Sequence, residues 1–251
     1  MITIRAGQMR AFEKAAVHNF EQRAVEYVQE SFPKHFEIIG EEEIANIVRE
    51  GLKRAEKYGL TTENSLLVYL HLMFMFGSHF DVDQQLSWAG AVLGDESLRD
   101  EAQRIYLLNE KAHEYLQAVA GDDGEYLKKA LRHLQESSLE QLAPSADEGF
   151  LSYMAGELER VYPQKCEYLN EDGMRQLILH GIKSAKKYEI SGERGMAVFI
   201  ALMFMLGSSF DVDRQFRWAA AALRDDGAAD EEEKVANLYR AAMDYLEHWV
   251  D

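Results

Sequence analysis

The sequence predicts an all-α protein made of two tandem, internally duplicated helical bundles, and three observations lead to this prediction. The segment 72–89 recurs at 202–219, an offset of 130 residues (202 minus 72), with 13 of 18 positions identical. Only three prolines interrupt the 251 residues, and residues that favour helices are abundant. Apolar residues recur at helical spacing in both halves. Because the repeat is far longer than a helical-solenoid unit, we expect two domains and not a superhelix.

Each half is expected to contain the same helices in the same order. In the first half, apolar spacing predicts helices over about 8–31, 41–58 and 62–77, a short helix ending near residue 93, and a long one over about 97–119. The second half repeats these elements, and its last helix is expected over about 229–250. The helix over 62–77 is apolar almost all round, which is typical of a helix at the centre of a domain.

Residues at matched positions of the two halves are expected to end, cap or pack these helices. The dipeptides Phe32-Pro33 and Tyr162-Pro163 are expected to end the first helix of each half. Thr61 and Ser191 are the expected N-caps of the central helices. Glycine inside a helix is unfavourable by about 1 kcal/mol relative to alanine. The matched Gly51 and Gly181 therefore predict a close approach of two helices.

The domain boundary is placed near residue 121, giving one domain over 1–121 and a second over 122–251. Apolar residues at helical spacing continue over about 125–142. This stretch is either a linker helix or the first helix of the second repeat.

Composition excludes some classes of function. The net charge is −17, and both halves are acidic, so direct binding to nucleic acid or to an anionic membrane is not expected. A basic protein partner is compatible with this charge, as is an ordinary acidic surface. Cys166, the only cysteine, allows no intramolecular disulfide and is expected to serve in packing. The chain starts without an apolar leader, and its longest apolar run, 196–206, is short for a membrane span. We therefore expect a cytoplasmic protein.

The repeated Phe-Asp-Val-Asp motif and its flanking residues form the candidate fold signature. The signature residues are Gly77, Phe80, Asp81, Asp83, Trp88, Gly207, Phe210, Asp211, Asp213 and Trp218. Two carboxylates at this spacing can bind a divalent cation, with His79 as a third ligand, but Ser209 replaces that histidine in the second copy. The alternative is that the aspartates cap the next helix while the aromatic residues pack, which we favour. Direct contact with a partner is a third possibility.

No pattern in the sequence points to catalysis. It contains no nucleophile elbow, phosphate-binding loop, zinc-protease motif or paired-cysteine motif, so we expect a non-enzymatic protein without a cofactor or a bound metal. His71 and the methionine-rich central helices are expected to be core. The densest acidic patches lie at predicted helix starts, where they favour the helix dipole and are also candidates for partner binding. They are Glu41, Glu42, Glu43, Asp230, Glu231, Glu232 and Glu233.

The repeated motif, Leu-Met-Phe-x-x-Gly-x-x-Phe-Asp-x-Asp followed by Trp-Ala, resembles that of a family of small helical bacterial proteins encoded beside type VI secretion spike and effector genes. Gln84 and Arg214 stand where that family often has proline. The resemblance covers about 9–116 and 139–246 and implies a setting of toxin delivery. In that setting we expect an immunity protein that binds a secreted effector, for instance a basic toxin, or alternatively an effector chaperone or adaptor. A divalent-metal-dependent enzyme using the Asp-x-Asp loops and a scaffold protein of the secretion apparatus are further alternatives.

Overall fold

Helices account for nearly all of the regular structure in the computed structural model, which describes residues 6–136, 138–139, 149–225 and 227–249. Side chains are described from residue 15 onward within these ranges. The predicted all-α class is confirmed: the described residues form twelve α-helices and no strand. In chain order they are α1 (Ala6–Ser31), α2 (Pro33–Ile39), α3 (Glu41–Lys57), α4 (Glu63–Phe76), α5 (Ser87–Leu93), α6 (Glu101–Ala120), α7 (Glu125–Glu136), α8 (Phe150–Val161), α9 (Pro163–Ala185), α10 (Glu193–Leu206), α11 (Arg217–Leu223) and α12 (Glu231–Glu247).

Equivalent helices lie 130 residues apart, as α4 and α10 show. The chain bends at the same place in both halves: Gly40 separates α2 from α3, and the equivalent Asn170, also at positive φ, kinks α9. The linker helix expected over about 125–142 is α7, which ends at residue 136. Residues 137 and 140–142 of that expectation lie outside the described part of the chain. The domain boundary near 121 stays a prediction.

The apolar core is continuous between the halves. Helices α4 and α10 lie at its centre, and α3 and α9 pack directly on them. A Cβ on Gly51 would lie 2.6 Å from Leu70 Cδ2, and one on Gly181 would lie 2.4 Å from Ile200 Cγ1. Both distances are far below van der Waals contact. The close helix approach predicted from the matched glycines is confirmed.

The N-termini of α4 and α10 are capped differently from the expectation. Thr62, not Thr61, is the N-cap of α4, and Gly192, not Ser191, is the N-cap of α10. Glu101 at the start of α6 accepts hydrogen bonds from the backbone N–H groups of residues 61 and 62, at 2.8 and 2.9 Å. The Thr62 hydroxyl accepts from the Ser65 N–H at 3.4 Å, so α4 keeps a local cap, and a carboxylate from a distant helix binds the two N–H groups that precede the helix.

Glu231 makes the equivalent contacts in the second half. Its carboxylate accepts from the backbone N–H groups of Ser191 and Gly192, at 3.1 and 2.7 Å, and from the Ser191 hydroxyl at 3.0 Å. Helices α6 and α12 are thus tied to the start of each central helix.

Candidate functional site

The Asp-x-Asp loops meet between the two halves. The loop that follows α4 carries Asp83, whose carboxylate accepts hydrogen bonds from the Ser208 N–H and hydroxyl groups, at 2.7 and 2.5 Å. The loop that follows α10 carries Asp213, which accepts the same two bonds from Ser78, both at 2.6 Å. Each aspartate also accepts the N–H of the glutamine two residues later, at 2.9 Å. Asp83 and Asp213 therefore cap the turn that follows them, as expected, and also bind the opposite half.

The side chains of Gln85 and Gln215 complete this arrangement. The Gln85 amide donates to the Met203 carbonyl near the C-terminus of α10, and the Gln215 amide donates to the Met73 carbonyl of α4, both at 2.9 Å. The Met203 carbonyl also accepts the Gly207 N–H at 3.0 Å, so the Gln85 amide adds a second hydrogen bond there, at a helix end where few carbonyls have helical partners. We call this set the carboxylate interlock; it consists of Ser78, Asp83, Gln85, Ser208, Asp213 and Gln215.

Gly77 and Gly207 allow the interlock to close. Their φ angles are +100° and +106°, in the region that favours glycine. A Cβ on Gly77 would lie 3.3 Å from an Asp213 carboxylate oxygen, and one on Gly207 would lie 3.2 Å from Asp83. Both the backbone conformation and the close approach of the opposite aspartate explain why the signature contains glycine here.

Asp81 and Asp211 have a separate role within each half. Asp81 forms an ion pair with Arg54 and accepts a hydrogen bond from the Tyr58 hydroxyl at 2.8 Å. Asp211 accepts the equivalent bond from Tyr188 at 2.9 Å. Burial, together with the bonded carboxylate, raises the pKa of each tyrosine to about 12.

The arginine near the Asp81–Tyr58 pair and the one near the Asp211–Tyr188 pair come from different elements of the two halves. Ser184 replaces Arg54 at the equivalent position of α9. Arg224, which follows α11, lies near the Tyr188 hydroxyl and acts to lower its pKa. The equivalent of Arg224 in the first half is Gly94.

The aromatic residues of the signature pack as expected. Phe80 and Phe210 are buried, and each ring contacts the aromatic ring of an equivalent residue in its central helix, Tyr69 or Phe199. Trp88 packs on Tyr115, and Trp218 stacks on Tyr245. The signature residues thus belong to the core and to the junction of the halves.

The geometry weighs against a metal at these loops. The oxygens of the four signature aspartates accept hydrogen bonds from N–H or O–H donors, and Asp81 also has an arginine partner. Cation binding at the loops would require the carboxylates to give up these partners. Across the described residues, no group of three or more histidine, cysteine, aspartate or glutamate side chains is placed to hold a metal ion.

The remaining singled-out residues divide between core and cavity. His71 is half-buried, and its Nδ1 lies 2.7 Å from the Tyr27 hydroxyl. Met73 and Met203 are fully buried, in agreement with their prediction as core. Met75 and Met205 instead line a cavity of about 380 Å³ between the halves, so for them the expectation of core packing was too simple.

The candidate partner-binding carboxylates fall into two groups. Glu43 is buried and forms ion pairs with Arg214 and Arg217 of the second half, at 2.8 and 3.5 Å. Glu231 is engaged with residues 191 and 192, as described above. In contrast, Glu41 and Glu42 are exposed at the start of α3.

At the start of α12, two of the candidates bind their own helix terminus. Asp230 caps α12 by accepting from the Glu233 N–H at 2.9 Å, and Glu233 accepts from the Ala229 N–H at 2.7 Å. Glu232 is exposed and lies 3.7 Å from Arg194. This patch is therefore largely a capping structure.

Sequence reasoning missed one exposed acidic pair and one buried cation. Glu171 and Asp172 are exposed and occupy the positions equivalent to Glu41 and Glu42, a recurrence visible at the 130-residue offset. Lys165 is buried, although lysine rarely is. No local pattern in the sequence distinguishes it from a surface lysine.

Comparison with protein-family models, curated proteins and solved structures finds no match to this chain. In the portion of the chain that the structure describes, no helix has both the length and the apolar character needed to cross a bilayer.

Proposed function

We propose that this protein is a binding module that captures a basic partner protein on an acidic helical surface. The observation that carries the proposal is the carboxylate interlock. Its aspartates, which are the most conspicuous candidates for chemistry in the sequence, join the two halves through hydrogen bonds. Carboxylates used in this way serve the fold, which leaves the exposed acidic groups as the candidates for recognition.

Two exposed acidic pairs are the best candidates for that surface. Glu41 and Glu42 lie at the start of α3, and Glu171 and Asp172 lie at the equivalent positions of α9. Their recurrence in both halves gives the molecule two similar acidic positions. The net charge of −17 adds a long-range attraction for a basic partner, which accelerates association.

The resemblance of the repeated motif supports a setting of bacterial toxin delivery. In that setting the partner is a secreted effector, and the proposed role is immunity, in which binding neutralises the toxin in the cytoplasm of the producing cell. The alternative role is that of a chaperone or adaptor that escorts the effector to the secretion apparatus. A metal-dependent enzyme is less well supported, because the signature carboxylates already have partners.

Co-expression with the product of the neighbouring gene, which the proposal takes to be the effector, tests the proposal. We expect the two proteins to co-purify and the sensitive cell to survive. Survival without binding would contradict the proposal, as would failure of binding altogether. Binding without protection would favour the chaperone role over immunity.

Charge-reversal variants test whether the two acidic pairs form the partner-binding surface. E41K/E42K and E171K/D172K are expected to slow association and to reduce its dependence on salt, since each removes attraction at an acidic pair. The matched control is E56K/E96K, which makes the same change in net charge at exposed positions outside the pairs. Equal effects of all three variants would show that only total charge matters and would remove the two pairs as contact sites.

A further inference from the structure

The cavity between the halves is large, mostly apolar and lined by equivalent positions of both repeats. Its volume of about 380 Å³ falls within the range of small-molecule sites. Tyr115 and Tyr245 line it, as do the two methionines, Met75 and Met205. Met75 and Leu127 of α7 are 38% and 39% exposed, so apolar side chains at the rim of the cavity are accessible from solvent.

One cation lines this apolar cavity from the inside. The side chain of Lys165 is 7% exposed. Its Nζ donates a hydrogen bond to the Phe204 carbonyl near the C-terminus of α10 and lies 4.9 Å from the centroid of the Phe204 ring. An ammonium group has three N–H donors. Within the described residues, the Phe204 carbonyl is its one hydrogen-bond acceptor.

The nearest carboxylate does not form an ion pair with Lys165. Burial lowers the pKa of Lys165, and Asp83 lies close enough to oppose that effect, but the Asp83 oxygens accept hydrogen bonds from Ser208 and Gln85. The equivalent of Lys165 in the first half is His35, which also lines the cavity. Burial lowers the pKa of His35 to about 4, so this side chain is neutral at pH 7.

A second lysine, at the rim of the cavity, carries the same positive charge as Lys165 inside it. Lys128 of α7 lines the cavity and is exposed. Among the lining residues that the structure describes, Asp83 is the one acidic side chain, although the protein as a whole carries a net charge of −17. The cavity is therefore a locally cationic, apolar site in an acidic protein, and this combination favours a ligand with an anionic group and an apolar body.

We propose that the cavity binds a small amphipathic carboxylate of the fatty-acid type, with its carboxylate at Lys165 and its apolar chain between the halves. The carboxylate would accept the N–H donors of Lys165 that have no acceptor. The chain would contact the tyrosine and methionine side chains of both repeats. Such a ligand would bridge the halves beside the carboxylate interlock.

Calorimetric titration of the purified protein with dodecanoate, below its micelle concentration, tests the proposal. We expect saturable one-to-one binding, and much weaker binding of dodecanol and dodecyltrimethylammonium, which share the chain but lack the anion. Equal binding of all three would overturn the proposal, and so would no binding of dodecanoate.

Two variants separate the charge from the cavity. K165M keeps the length of the side chain, and we expect about 10- to 100-fold weaker dodecanoate binding, the effect of losing a hydrogen bond to a charged group. L131W fills the cavity from α7 and should abolish binding while Lys165 remains. The matched controls are K129M, at an exposed lysine of α7 outside the lining, for K165M, and L179W, at an exposed leucine, for L131W. Circular dichroism checks that each variant folds, and wild-type affinity in K165M or in L131W would contradict the proposal.

Discussion

In the carboxylate interlock the two halves use the same residues at nearly the same distances, whereas in the central cavity they place different residues at equivalent positions. Asp83 and Asp213 each bind the opposite serine with donor–acceptor distances of 2.5 to 2.7 Å. Beside them, His35 in one half corresponds to Lys165 in the other. One region is nearly symmetric and the other is not.

The difference separates what holds the halves together from what distinguishes them. Reciprocal hydrogen bonds require both copies to keep the same residues, because a change in one leaves a buried partner in the other unsatisfied. The cavity lining has no such constraint, so one copy carries a neutral imidazole and the other an ammonium. Divergence at the cavity is therefore compatible with an intact junction.

Removal of an interlock carboxylate is expected to have the largest effect. D83A and D213A each leave buried N–H and O–H donors without an acceptor, and we expect a loss of about 3 to 5 kcal/mol in the free energy of unfolding. Urea denaturation measures it, with D122A at an exposed position as the control. D83A should be the more harmful of the two, because it also removes the carboxylate nearest to Lys165. Losses no larger than that of D122A would show that the interlock does not stabilise the junction.

Loss of Arg54, the cation beside Asp81, is expected to have the second-largest effect on stability. R54S leaves a buried carboxylate with only Tyr58 as a described partner, and we expect a loss of about 2 to 3 kcal/mol in the free energy of unfolding. G94R supplies an arginine at the position equivalent to Arg224, so R54S/G94R should recover part of this loss. If the double variant is no more stable than R54S in urea denaturation, the two cation positions are not interchangeable.

Replacement of Lys165 is expected to stabilise the protein. Burial lowers the pKa of Lys165 to about 8, with Asp83 opposing that effect, and its ordinary value is 10.5. The protonated lysine therefore destabilises the fold fully below pH 8, and this penalty disappears as the pH rises from about 8 to 10.5. With the lost hydrogen bond to Phe204 subtracted, K165M should gain about 2 kcal/mol in the free energy of unfolding at pH 7.

The gain should be absent above about pH 10.5, where both forms of Lys165, folded and unfolded, are neutral. Thermal or urea unfolding at pH 7 and at pH 10.5 measures the difference, and K129M serves as the exposed control. A gain of the same size at both values would show that packing, and not charge, is responsible.

The smallest effect is expected at the carboxylates that cap the central helices. E101Q and E231Q each weaken hydrogen bonds to backbone N–H groups, and we expect a loss of about 1 kcal/mol in the free energy of unfolding for each. Equal losses would show that the two caps are equivalent. A loss in only one half would reveal a further asymmetry.

The ionisation of Glu101 makes the free energy of unfolding depend on pH. Burial acts to raise its pKa, but hydrogen bonds from Thr62 and Thr61 outweigh burial and lower it from 4.5 to about 2. The stability that Glu101 contributes is present above pH 4.5 and is lost as the pH falls toward 2. Unfolding curves over this range should show a weaker dependence on pH for E101Q than for the wild type.

Much of the fold could be predicted from local sequence because its determinants are local. Apolar spacing placed the helices, and the matched Gly51 and Gly181 indicated their close packing. The N-caps were wrong by one residue, and the carboxylates that bind beside them, Glu101 and Glu231, lie 40 residues away in the sequence. Hydrogen bonding over such a distance leaves no periodic trace in the sequence.

The site was only partly predictable for the same reason. Capping by Asp83 and Asp213 follows from their spacing to the next turn, but their second partners, Ser208 and Ser78, lie in the opposite half. No sequence pattern predicts the burial of Lys165, because that burial depends on how α9 packs against α10. The exposed pair Glu171 and Asp172 was in principle visible in the repeat, at the positions equivalent to Glu41 and Glu42.

The reciprocal geometry of the interlock has a consequence for assembly. Each half presents a serine that donates and an aspartate that accepts, so a chain carrying one half alone would have a self-complementary face of the kind that generates isologous, two-fold symmetric dimers. Covalent linkage places that partner at a high effective concentration at any dilution of the protein. It also guarantees that each assembly contains one copy of either kind of half, so a cavity with one buried lysine forms without any need to select between like and unlike pairs.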